Sequence, residues 1–144
     1  RNIKGKTDKS VEVKRRIEHD VIVDYLFGAT ESTECAICSK TYPNDLLVAA
    51  HIKKRALASD KERKDLNIVF PLCTLGCDSL FERGYILVGC NGRLIINNKK
   101  KHLKNLSSYL KNINLKKIKY FHKNNAKYFE FHRLHHTDIN SRIY

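Results

Sequence analysis

The chain has 144 residues, enough for one domain with a modest core, and 28 Lys and Arg against 15 Asp and Glu give it a formal charge of +13. That excess points to a polyanionic partner, a nucleic acid or an anionic surface. It reads as no membrane protein: no run is apolar for long enough to span a bilayer, and the polar, charged residues 1–8 do not read as a signal peptide.

Residues 1–34 balance seven basic against seven acidic side chains, residues 35–98 hold nine against six, and residues 99–144 hold twelve against two. A start at Arg1 and the lack of any Met lead to the expectation of a piece of a longer protein. Residues 1–10 read as a flexible lead. Residues 11–27 read as a packing helix, with Val13, Ile17, Val21, Asp24 and Tyr25 near one face, Ser10 as its cap and Gly28 as its stop. Together they make residues 1–34 an N-terminal linker and packing helix.

Residues 35–98 read as the core. Cys35 and Cys38 form a knuckle, and residues 41–45 a turn. Residues 46–52 read as a largely buried strand, with His51 at its end. A polar loop follows over residues 53–66, then a second strand over residues 68–72, where Pro71 marks an end or an edge. Cys73 and Cys77 precede a helical turn or two over residues 78–83, stopped by Gly84. A hairpin pairs residues 85–88 with 94–96, and Asn91-Gly92 favours a two-residue type I′ turn. Residues 99–144 read as a basic helical extension of the same domain. Leu103, Leu106, Leu110 and Ile113 make one apolar stripe, and a second helix capped by Asn124 or Asn125 holds Tyr128, Phe129, His132 and His135.

Cysteine spacing carries the chemistry. Two Cys pairs separated by the core segment can close a tetrahedral zinc site, while a redox pair or buried structural thiols is the competing reading. The fifth, Cys90, stands outside either scheme and reads as a small buried hydrophobe. Cys-x-x-Cys without a secretory signal places the chain in a reducing, cytoplasmic setting. His51 is suited to take a proton from water near neutral pH, or else is a satisfied histidine of the core. Asp78 offers a hard oxygen for Mg²⁺ or Mn²⁺, or else caps a helix. Asn67 holds a turn or orients His51. Glu82 shares the helical face of Asp78. Lys53, Lys54, Arg55, Lys64 and Arg83 are nucleic-acid contacts or an ordinary solvated face.

These segments resemble the HNH nucleases. The carriers are Leu47-Val48-Ala49-Ala50-His51-Ile52-Lys53, then Lys64-Asp65-Leu66-Asn67-Ile68-Val69, then Asp78-Ser79-Leu80-Phe81-Glu82-Arg83-Gly84. The nearest branch is restriction-endonuclease-like, with a structural zinc, and Phe131-His132-Arg133 is similar to an element of its C-terminal helix. The resemblance implies an α+β fold: a small ββα-metal core flanked by helices, with a four-cysteine zinc site of Cys35, Cys38, Cys73 and Cys77. It implies a metal-dependent DNA endonuclease of a restriction or defence enzyme. His51 would be the general base, Asn67 the brace, and Asp78 the ligand of a catalytic Mg²⁺ or Mn²⁺. The chain departs from the pattern at Ala50, where many members carry a metal ligand, at Lys54-Arg55, and at Glu82. Those departures keep a catalytically inactive, zinc-stabilised DNA-binding module as the alternative. Double-stranded DNA is the implied partner, with an additional recognition domain outside this chain. Cutting both strands needs two active sites or sequential nicking, so the further expectation is a homodimer or a module that nicks one strand.

Overall fold

The computed structural model describes residues 2–101, 103–113 and 115–138, with side chains from residue 8 onward. Arg1 of the expected lead and residues 139–144 of the expected C-terminal extension lie outside the described residues. The order of elements is α1 (Asn2–Phe27), β1 (Ser32–Glu34), β2 (Thr41–Pro43), β3 (Leu47–His51), α2 (Asp60–Arg63), β4 (Val69–Cys73), α3 (Cys77–Glu82), β5 (Ile86–Val88), β6 (Leu94–Ile96), α4 (Lys104–Lys111) and α5 (Ala126–Thr137). The strands pair as three antiparallel two-stranded sheets, β1–β2, β3–β4 and β5–β6. The fold is thus mixed α and β, with helices flanking the region that holds the four cysteines.

The β3–β4 ladder sets the frame. Its register pairs Leu47 with Cys73 at one end and His51 with Val69 at the other. Val69 to Cys73 are all buried, as the unbroken apolar run requires. Pro71 sits inside this strand rather than at its end. Its carbonyl accepts from the Ala36 N–H at 2.9 Å, on the edge turned away from β3, so its missing N–H costs the ladder nothing. Phe70, Phe81 and Phe129 meet edge to face at 5.0, 5.4 and 6.3 Å between centroids, joining β4, α3 and α5 in one core.

Helix α3 ends at Gly84 as expected. Tyr85 N–H donates to the Leu80 carbonyl at 2.8 Å and Gly84 N–H to the Phe81 carbonyl at 3.0 Å, a Schellman closure that needs the left-handed φ of 77° found at Gly84.

Several expectations are corrected. Helix α1 runs from Asn2, so residues 2–10 are helical rather than a flexible lead, and Ser10 is no cap. The stripe of Val13, Ile17, Val21 and Tyr25 is exposed, and the buried side chains are Ile22 and Phe27, with Val23 and Leu26 packed against the core. Apolar residues occupy two opposite faces of this helix, so periodicity alone could not choose between them. Residues 41–45 are strand β2 and the start of a 3₁₀ turn, and β2 makes a hairpin with β1 around the Cys35–Cys38 knuckle. The 53–66 loop contains a 3₁₀ turn and α2, which is closed by a capping box: Ser59 Oγ accepts from Glu62 N–H and Glu62 accepts from Ser59 N–H. The β5–β6 connection is longer than two residues. Gly92 N–H donates to the Gly89 carbonyl at 2.9 Å and, within this turn, only Gly92 has positive φ, so Asn91-Gly92 is not a central type I′ pair. Cys90, at the tip of this turn, is exposed rather than buried. Leu103 precedes α4 and is 84% exposed, so the apolar stripe is Leu106 and Leu110 of α4, continued by Ile113 just beyond its end.

Candidate functional site

A sulfur cluster and a polar cavity are the two candidate sites. Cys35 follows β1, Cys38 lies in the turn before β2, Cys73 ends β4 and Cys77 opens α3. The four Sγ atoms lie within 4.8 Å of one another, and all but half-buried Cys38 are buried. The knuckle is shaped by its backbone. Ser39 adopts a φ of 64°, its N–H donates to the Cys35 carbonyl, and Lys116 Nζ donates to the Ile37 carbonyl at 2.9 Å.

A tetrahedral zinc with bonds of about 2.3 Å to sulfur needs sulfurs roughly 3.8 Å apart, which these positions reach with little movement. The donor chemistry fits as well. The Cys77 thiol donates to Cys35, whose pKa falls to about 5, and Cys73 N–H donates to the same sulfur at 3.4 Å. Burial lifts Cys38 to about 11, and Cys77 rises because its proton is held by Cys35. A divalent cation would let all four deprotonate. Cys90 stands apart, and among the described residues no other set of His, Cys, Asp and Glu converges in this way.

The second feature is a cavity of about 420 Å³ between β3 and α3. Ala50, His51, Lys54, Arg55, Asp78 and Glu82 all line it. The ladder register carries His51 to the end of β3 away from Cys73, and α3 brings Asp78 back over the strand. His51 is half-buried, and its ring makes no hydrogen bond among the described residues. Burial, then the charge of Arg55, holds its pKa below the ordinary histidine range. Asp78 is half-buried in the first turn of α3 but caps nothing: the cap position is Gly76, without a side-chain bond. Burial, then the charge of Glu82, lifts the Asp78 carboxyl above its ordinary range. The cavity therefore brings together an imidazole, the carboxyl groups of Asp78 and Glu82, and two basic side chains.

Other expected residues lie elsewhere. Asn67 does not line the cavity. Its N–H and Nδ2 both donate to Asp65 Oδ1, at 3.0 and 2.9 Å, while Tyr128 Oη donates to Asp65 Oδ2 at 2.6 Å. Asn67 thus belongs to a clamp that ties the start of β4 to α5. Lys53 is engaged by Glu62 at 3.0 Å and lies 4.3 Å over the Phe131 ring, so it braces α2 against α5 rather than facing the cavity. Lys64 borders a groove beside α1, and Arg83 is exposed at the end of α3.

Sequence reasoning missed Glu18. Its carboxylate accepts from Arg55 Nη2 at 3.1 Å, so a residue of α1 sets the position of a cavity arginine. Nothing local in the sequence announces a contact between residues so far apart. It also missed that His132 Nε2 meets the Phe81 carbonyl at 2.7 Å and Arg133 donates to the Val88 carbonyl at 2.7 Å, latching α5 onto α3 and β5.

No family model matches the chain, and no curated protein matches it.

Proposed function

We propose that this chain is a zinc-stabilised module that binds DNA through its phosphates. The observation that carries this reading is the convergence of four cysteine sulfurs from β4, α3 and the knuckle. A zinc held there would tie the knuckle, β4 and α3 of a small basic fold together. The charge of +13 supplies a salt-dependent affinity for phosphate, independent of base sequence.

A second reading, metal-dependent hydrolysis of the phosphodiester as in an HNH, ββα-metal nuclease, is favoured by one specific observation. His51 and Asp78, far apart in sequence, line one cavity with Lys54 and Arg55. In that reading His51, neutral above its lowered pKa, takes a proton from water. Lys54 and Arg55 hold the phosphate. Asp78, with Glu82 one turn on, would hold Mg²⁺ or Mn²⁺, which when bound neutralises charge on the phosphate and the leaving oxygen. Ala50 supplies no ligand, and Asn67 lies outside the cavity lining, so Asp78 bears most of that burden.

A mobility-shift titration of duplex DNA over a salt series tests the first reading. The affinity is expected to fall steeply with salt, and an affinity indifferent to salt would reject it. Plasmid digestion with Mg²⁺ or Mn²⁺ tests the second. Cutting is expected in the wild type and is expected to drop at least about 100-fold in His51→Ala and Asp78→Ala while DNA binding persists. Equal cutting by His51→Ala would remove that residue as base, and no cutting at any pH would leave the binding module alone.

A further inference from the structure

Helix α1 is apolar on two opposite faces. Ile22 and Phe27 enter the core, and Leu26 packs against it. Val13, Ile17, Val21 and Tyr25, each four residues from the next, form a second stripe that is 50%, 60%, 52% and 55% exposed. Val13 and Ile17 also line an open groove of about 560 Å³ bounded by Lys64. No described element covers the stripe.

The charges on α1 say what would. Residues 8–16 carry Lys9, Lys14, Arg15 and Arg16 against Asp8 and Glu12, whereas residues 17–27 carry Glu18, Asp20 and Asp24 with no Lys or Arg. The first turn has no acid and the last turn no base. This is the reverse of what the dipole of a solitary helix favours. It is what two such helices lying antiparallel require, because the basic half of each then meets the acidic half of the other. Phosphate backbone is a poor occupant: the stripe is apolar, and Asp20 and Asp24 flank it.

We propose that α1 pairs antiparallel with α1 of a second copy of this chain through the Val13, Ile17, Val21 and Tyr25 stripe. Centring the two-fold axis at position 19 sets Val13 against Tyr25 of the second copy, Ile17 against Val21, and Lys14 against Asp24. Each contact occurs twice, as two-fold symmetry demands. Arg55, held by Glu18 of this same helix, couples the pair to the cavity wall.

Analytical ultracentrifugation over a concentration series provides the test. The wild type is expected to show a concentration-dependent dimer, and Ile17→Glu, a change at an exposed position, a monomer with an unchanged circular dichroism spectrum. Lys14→Glu alone sets acid against Asp24 at both ends and is expected to weaken the dimer about tenfold, whereas Lys14→Glu with Asp24→Lys restores it. A wild type that stays monomeric throughout, an Ile17→Glu variant that still dimerises, or a Lys14→Glu variant with unchanged affinity overturns the proposal. The last result is what a parallel pair would give, since Lys14 would there face Lys14. Loss of DNA affinity in Ile17→Glu of a chain that is always monomeric would assign the face to nucleic acid instead, and would also overturn it. None of these readouts depends on DNA cutting, so the pairing and the hydrolysis reading fail separately.

Discussion

Two histidines at the α5–α3 contact make a residue-scale prediction. His132 is buried, donates from Nε2 to the Phe81 carbonyl, and stacks on the Phe81 ring at 3.7 Å. Its Nδ1 has no partner among the described residues. Burial drives its pKa down to about 3, and burial lowers neighbouring His136 to about 4. Both pKa values lie below the unfolded value of about 6.5, so the unfolded chain binds more protons below that pH. The neutral rings contribute full stability above pH 6.5, and that contribution falls as pH drops towards 4 and 3. For His132 the loss between pH 6.5 and 5 is about 2 kcal/mol. Urea midpoints measured from pH 7 to 5 are expected to decline, and His132→Gln, which keeps a donor to Phe81 but cannot titrate, is expected to flatten the slope. His132 is visible in the sequence as part of a helical face; its contact with Phe81 and its protonation are not, because burial is a property of packing.

At the scale of elements, α3 depends on its ending. Gly84 has a φ of 77°, and a Cβ added there would lie 2.3 Å from the His136 ring. Gly84→Ala therefore combines a left-handed backbone penalty with a steric clash against α5. The expected loss is about 2–4 kcal/mol, read from urea denaturation. Because α3 carries both Cys77 and Asp78, the same variant is expected to weaken zinc retention. The stop at Gly84 is legible because glycine after a short amphipathic turn has a specific stereochemical use. The α2 capping box is equally present in Ser59-Asp60-Lys61-Glu62, with Glu62 three residues after Ser59, yet the density of charge around it reads as loop. The core-facing side of α1 is hidden for a different reason. Val13, Ile17 and Val21 repeat as regularly as Ile22 and Leu26, and only contact with β3 and β4 separates the two sets.

At the scale of the whole molecule, the four cysteines bring the knuckle, β4 and α3 to one point. One zinc per chain is expected by elemental analysis, and chelation is expected to unfold the region around β4 and α3, seen as lost helical signal and a lowered melting temperature. Cys73→Ser is expected to abolish zinc retention, whereas Cys90→Ser, at an exposed turn, is expected to leave it unchanged. Equal zinc content in both variants would sink the four-cysteine assignment. Electrostatics also acts at this scale. With twelve basic and two acidic side chains in residues 99–144, neutralising surface lysines of α4 is expected to lower DNA affinity and reduce its salt slope without touching zinc content.

The four-cysteine cluster, the β3 and β4 strands, the stop of α3 and the excess of positive charge are all legible in the residues alone. Each follows from local chemistry: thiol spacing, an apolar run, a glycine's left-handed φ, a count of ions. It takes the folded chain to put His51 and Asp78 on one cavity that Asn67 does not enter, to set Glu18 against Arg55, and to leave one face of α1 in solvent. Those facts depend on strand register and on contacts between segments remote along the chain, and no local pattern of residues encodes which of two equally apolar faces a neighbour will cover.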